Sequence, residues 1–254
     1  TDADNFAIFG ATRAATGARK HVITCAIEHP AGLSPAKQLG AEGVEVPWLR
    51  VGSSGIVSPD DVRRAMRPET VLVTIMHANN ELGTLQPVGE IARIAHEAGA
   101  ALHVDGVQAL GKIPVDVQAL GADLYTMSGH KLYAPKGVGA LYVRKGTRMA
   151  AIAYGGHHER DRRPGTENVP GIAAFGAAAE LAGRRIGEDA ERLGMLRDRL
   201  ENTVLDRIPG TGINGSRWLR VANTSNLYFD GIDGEAMVIA LDLRGFAVST
   251  GAAC

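Results

Sequence analysis

The sequence predicts an α/β protein built on a mostly parallel central sheet with helices on both faces. Two observations lead there. Short β-branched apolar runs alternate with segments of helical period, and the runs are apolar almost throughout, as strands covered on both sides must be. The first run is His21–Ala26 (HVITCA). The second, Val71–Met76 (VLVTIM), is followed by Pro87 at a first helical position. Ile91, Ile94, Ala95 and Ala98 then mark one helical face, and Gly99 supplies a stop. Ala101–Val104, Leu124–Met127 and Val138–Val143 read as further strands. Strand, helix and strand in succession require a crossover, which implies parallel pairing.

The texture changes near Asn168. Ala173–Arg185 is an Ala-rich helix, and Glu188–Ile208 is a charged amphipathic helix ending near Pro209–Gly210. A strand at Thr224–Phe229, a helix at Glu235–Asp242 and a last strand at Phe246–Ser249 follow. These elements divide the chain into a large domain at 1–187 and part of a smaller C-terminal α+β domain at 188–254.

Composition narrows the function classes. A chain of 254 residues that is 45% hydrophobic with 32 Gly can bury a substantial core. Its formal net charge of −1 offers nucleic acid or an anionic membrane no electrostatic hold. The first residues, TDADNFAIFG, carry acids where a signal peptide has bases, and no apolar run reaches membrane-spanning length. The two cysteines, Cys25 and Cys254, are too few for a disulfide framework, so the expected compartment is the cytoplasm.

Three segments follow the ends of expected strands, where ligands bind in open α/β sheets: HANNELG (His77–Gly83), HVDGVQ (His103–Gln108) and SGHKLYAPKG (Ser128–Gly137). Asp105 closes one strand and Lys131 follows a later one. A cofactor that is held covalently and kept protonated on a ring nitrogen needs an amine and a carboxylate in such places. Taken singly, a loop lysine is a solvated charge and a strand-end aspartate is a turn residue. The SGHK context adds weight: Ser128 and Gly129 permit a sharp turn, and the Ser128 hydroxyl and His130 imidazole are donors suited to a phosphate.

SGHK with the Tyr-x-Pro-Lys-Gly stretch after it, HVDxxQ, NNExG, the EH of Glu28–His29 and the terminal STGAAC (Ser249–Cys254) together resemble the cysteine desulfurases of the NifS/IscS type. Those are class-V-aminotransferase-like, fold type I enzymes that depend on pyridoxal 5'-phosphate. The resemblance implies that Lys131 holds the cofactor, Asp105 pairs with its pyridine nitrogen, and Gln108 bonds its phenolic oxygen. It further implies that His29 stacks on the ring and moves protons, and that Asn80 lies beside the ring oxygen and the substrate carboxylate. Thr1, Ser128 and His130 would bind the phosphate. Thr166, in RRPGTEN, would reach the phosphate of a neighbouring subunit, making a homodimer part of the site. Cys254 would take sulfur from L-cysteine as a persulfide, leaving L-alanine, and pass it to an acceptor or scaffold protein for iron–sulfur cluster or other sulfur-transfer pathways.

The small-residue loop before Cys254 suits a mobile thiolate, whereas Cys25 within HVITCA suits a buried hydrophobe. His157–His158–Glu159 lacks companions at ligand spacing, so no metal is expected. The family's opening Leu-Asp-x-Ala-Ala-Thr-Thr stretch is not present, and its substrate-carboxylate arginine lies past residue 254. A fragment is expected, one that alone binds the cofactor poorly and has little activity. The alternatives are a selenocysteine lyase or small aminotransferase of the same fold, or a non-catalytic scaffold that docks sulfur acceptors.

Overall fold

A computed structural model describes residues 1–17 and 20–251. The elements are α1 (Asp2–Ala14), β1 (His21–Cys25), α2 (Pro30–Ala41), β2 (Trp48–Leu49), α3 (Pro59–Ala65), β3 (Thr70–Met76), α4 (Val88–Glu97), β4 (Ala101–Asp105), β5 (Leu124–Ser128), β6 (Gly139–Val143), α5 (Val169–Arg207), β7 (Thr211–Ile213), β8 (Leu227–Phe229) and α6 (Gly234–Asp242). The main sheet runs β2-β1-β3-β4-β5-β6. All its pairings are parallel except β5 with β6, which is antiparallel. The short connection between those two carries no crossover helix, so the chain can only turn back.

Alternation along the strands sorts the two faces. Ile23, Val73, Ile75, Leu102 and Val104 point to one side and pack with Val62 of α3 and Ile91 and Ile94 of α4. Val22, Leu72 and Leu124 point to the other and pack with Ala7, Ile8 and Ala11 of α1 and Leu39 of α2. Each such side chain removed from water contributes roughly 1.5–3 kcal/mol. On the α1 side the face turns polar toward the strand ends: Thr74, His103, Asp105 and Thr126 are all buried there. That change of character places the site.

Gly106, directly after β4, is required by a close approach. A Cβ there would overlap the ring of Tyr125, which is fully buried and holds its hydroxyl 3.0 Å from His77 Nδ1. Gly106→Ala is therefore expected to destabilise the fold by about 1–3 kcal/mol and lower Tm by roughly 2–12 °C. Thermal unfolding measures it, and an unchanged Tm would show that Tyr125 moves aside freely.

Three sequence expectations differ from the fold. Ala173–Arg185 and Glu188–Ile208 are one continuous 39-residue helix, α5, which runs through the expected boundary at 187/188. Gly183 and Gly187 do not break it, because an interior glycine costs only about 1 kcal/mol. Residues 246–249 form no strand, and among the described residues none pairs with them. The strand expected at Thr224–Phe229 is only Leu227–Phe229, paired antiparallel with β7. Conversely α2, with Pro35 inside it, is concealed in the sequence by its proline and glycines, and packing against α1 supports it.

Candidate active site

The strand order reverses between β1 and β3, and in such sheets the crevice opens at the carboxyl ends of those strands. Glu28 and His29 follow β1, and His77, Asn79 and Asn80 follow β3. Asp105 ends β4 in register with Thr126 of β5, and β5 runs straight into the Gly129–Leu132 turn that holds Lys131. Asp105 and the lysine turn thus leave the sheet on adjacent strands.

Beneath this opening lie three buried carboxyls from three elements: Asp4 of α1, Glu28 and Asp105. Burial, reinforced by Asp4, pushes Asp105 up to about 7. Burial likewise holds Glu28 well above the ordinary carboxylate range, with Asp105 and Asp4 adding to it and the Met76 N–H, 2.9 Å from Oε1, opposing it. Neither Asp4 oxygen has a hydrogen-bond partner among the described residues. Its Oδ1 lies 3.7 Å from His103 Nε2 and its Oδ2 lies 3.4 Å from the Thr1 amino nitrogen. His103 itself is clamped between Thr74 Oγ1 at 2.8 Å and Thr126 Oγ1 at 2.9 Å, and burial drives it down to about 4. It is neutral at pH 7, so it cannot offset the carboxyls as a cation. Carboxyls buried in this way are held toward their protonated form, and a cationic ligand group would favour their ionised form instead. Asp105 is aimed by its own turn, Oδ1 accepting the Val107 N–H at 2.9 Å.

His29 caps α2, its Nδ1 accepting the Ala31 N–H at 3.1 Å. That bond leaves the proton of the neutral ring on Nε2. Burial lowers its pKa first of all, Lys131 contributes in the same direction, and Asp4 opposes them. Lys131 is half-buried. Gln108 and Asn80 are half-buried too, and Gln108 Oε1 accepts from Lys112 Nζ. Asn79, rather than Asn80, builds the turn after β3: its Oδ1 accepts from the N–H groups of Glu81 and Leu82, and its Nδ2 donates to Ile27 O.

A second, more open region lies beside this carboxyl end. A cleft of about 900 Å³ is lined by Thr1, Ser128, His130, Arg160, Arg162 and Arg163, among others. Thr1 is the N-cap of α1 and makes no side-chain cap bond, at a helix start that offers unpaired N–H groups. Ser128 Oγ and His130 Nδ1 are 2.8 Å apart. The three residues expected at the phosphate thus share one cleft. Thr166 is exposed between Gly165 and Glu167, which line that cleft.

Cys254 lies outside the described residues. The segment leading to it reaches the rim, because a Cβ at Gly251 would sit 3.8 Å from Glu81 Oε2. Cys25 is fully buried and its thiol is pushed up to about 12 by burial. His157 is occupied by Asp161 at 2.6 Å, and among the described residues no group of three or more His, Cys, Asp or Glu could hold a metal ion. No described helix is long and apolar enough to cross a membrane.

Asp4, Glu28, His103, Asn79 and Lys112 were not singled out by sequence reasoning. Glu28 adjoins His29 within a motif, and Lys112 follows Gln108 at one-turn spacing. His103 opens the HVDxxQ motif, and Asp4 carries no local signal, since its meaning arises only from residues distant in sequence.

The class-V aminotransferase model matches residues 1–254. The chain is 47% identical over 254 residues to a protein named cysteine desulfurase IscS from Methanosarcina thermophila, covering 100% of this chain and 63% of that one. It is likewise 47% identical to a cysteine desulfurase from Nostoc sp., again spanning 100% of this chain and 63% of the relative. Among solved structures it is similar to a NifS-like protein at TM-score 0.92 and 34% identity, covering 98% of this chain and 68% of that one. It is also similar to SspA in complex with cysteine at TM-score 0.84 and 31% identity, covering 99% and 70%.

Proposed function

Because the chain belongs to the class-V aminotransferase family, we propose that it carries the cofactor pocket and sulfur-accepting cysteine of a pyridoxal 5'-phosphate-dependent cysteine desulfurase, converting L-cysteine to L-alanine. One observation carries this reading: a buried carboxylate, Asp105, ends the strand next to the one that delivers the half-buried Lys131. The pocket fits the cofactor at both ends. The buried carboxyls of Asp4, Glu28 and Asp105 suit a protonated ring nitrogen, and Thr1, Ser128 and His130 suit a phosphate.

When bound, the cofactor supplies an electron-withdrawing ring that stabilises negative charge on the substrate's α-carbon. Asp105 would keep the ring nitrogen protonated, and Lys131 would provide the amine that anchors the cofactor aldehyde. His29 has its Nδ1 engaged by the Ala31 N–H, so it serves as a stacking face and an Nε2 donor. The proton at the α-carbon would therefore be moved by Lys131 Nζ. Asn80, half-buried after β3, would orient the substrate carboxylate. Cys254 Sγ, as thiolate, attacks the substrate sulfur. The S–S bond forms as the C–S bond breaks, and the C–S electron pair stays on carbon, which takes up a proton.

The same reading assigns residues 1–187 to the cofactor domain and 188–254 to part of a smaller domain, joined through α5. Thr166, exposed at the cleft rim, would act across a homodimer interface. An acceptor or scaffold protein in the cytoplasm, serving iron–sulfur cluster assembly or another sulfur-transfer route, would take the sulfur.

The test is borohydride reduction of the purified protein in excess pyridoxal 5'-phosphate, followed by peptide mapping. A pyridoxyl adduct on Lys131 is expected. A folded protein that stays unlabelled, or is labelled only at other lysines, rules the reading out.

A further inference from the structure

A second lysine approaches Lys131. Gly111 has φ +74 and sits so close to Leu132 that any side chain there would overlap it. The turn after β4 therefore lies directly against the Gly129–Leu132 turn. Lys112 follows Gly111 on the first of these turns and Lys131 precedes Leu132 on the second; burial first, then the Lys131 charge, lowers Lys112 to about 8. Lys112 is half-buried, and its Nζ donates to Gln108 Oε1.

An ammonium has donors and no acceptor, so it can bind a carboxamide only through the oxygen. With Oε1 so engaged, the end of Gln108 left for another partner is Nε2, which carries two N–H donors. A glutamine without that restraint could offer either end, since the amide presents an acceptor as readily as a donor.

We propose that Lys112 is a positioning residue: it fixes the Gln108 amide so that its N–H donors face the pocket and favour the ionised ring oxygen of the cofactor. This rests on the pyridoxal phosphate reading above. The bond is charge-assisted, which makes it one of the stronger restraints available to a half-buried amide. It also polarises the amide, so Nε2 becomes a better donor.

The test is the pH titration of the bound cofactor's absorption band in the reconstituted protein, with Lys131 labelling confirmed first. Lys112→Met removes the donor while keeping a similar stem. The ring-oxygen charge loses support, so the proton is held more tightly and the midpoint is expected to rise by about one pH unit, a tenfold change in the proton equilibrium. Lys112→Arg retains a donor and is expected to hold the midpoint near that of the unaltered protein. In a Gln108→Leu background, Lys112→Met is expected to add no further shift, because its effect passes through Gln108. If Lys112→Met does not fold, Lys112→Leu, which likewise lacks a donor, takes its place in the same cycle. An unmoved midpoint in the labelled Lys112→Met protein overturns the proposal. So does an equal shift with and without Gln108, which would mean that Lys112 acts by its charge alone. No Lys131 adduct in the unaltered protein removes this inference together with the reading beneath it.

Discussion

Replacing Asp105 with asparagine is expected to weaken cofactor binding by roughly 30- to several thousand-fold, the range for removing one partner of a buried charge pair at about 2–5 kcal/mol. The side chain keeps its size and its acceptor for the Val107 N–H, so the loss reports charge rather than packing. Fluorescence titration with pyridoxal 5'-phosphate measures it, and an affinity within a fewfold of the unaltered protein would show that the ring nitrogen is not paired there.

The same carboxyl sets a pH dependence. Without ligand, Asp105 is raised to about 7 in the folded chain, by burial first and then by Asp4, and Glu28 is raised as well. A carboxyl whose folded pKa lies above its unfolded value favours the folded state fully only below the unfolded value, near 4. That contribution is lost as pH rises through about 7, so these groups make the ligand-free protein less stable at pH 7.5 than at pH 5. A cationic ring nitrogen reverses the penalty by pairing with the ionised form. The rise in Tm caused by cofactor is therefore expected to be larger at pH 7.5 than at pH 5. His77 and His103, lowered to about 4 by burial, titrate in that window only in the unfolded chain, which favours the fold toward pH 7.5 with or without cofactor and leaves the cofactor-dependent difference to the carboxyls. Asp4→Asn removes a charge that raises Asp105, so the pH at which affinity levels off should move downward. An upward movement would show that Asp4 acts on the ring nitrogen directly and that its charge does not govern Asp105.

Cys254→Ala is expected to reduce sulfide release from L-cysteine by at least about a thousandfold, as removal of a nucleophile does, while cofactor binding and colour persist. Cys25→Ala is expected to leave turnover within a fewfold. Its thiol is fully buried and pushed up to about 12, so it supplies almost no thiolate at neutral pH. Assays with cysteine and dithiothreitol compare the two. Retained sulfide release in Cys254→Ala with an intact chromophore would favour an aminotransferase or lyase that needs no protein thiol.

The sequence by itself determined what depends on near neighbours. The apolar runs at Val71–Met76 and Ala101–Val104, with the helix between them, require parallel strands whatever lies elsewhere in the chain. The strand-end positions of Asp105 and of Ser128 through Lys131 follow from those runs. Tertiary structure decided what depends on residues distant in sequence. Asp4, Glu28 and Asp105 become a carboxyl cluster only because α1, the segment after β1, and β4 meet on one face of the sheet. The turn carrying Lys112 meets the turn carrying Lys131 only because Gly111 leaves room for Leu132. The reversal of β6 depended on the closeness of its strand partner, and the continuity of α5 depended on backbone bonding that outweighed its glycines. The physical reason is one of range. Hydrophobic period acts between residues a few positions apart, whereas burial and Coulomb coupling act between groups a few ångströms apart, and the fold alone relates those two distances.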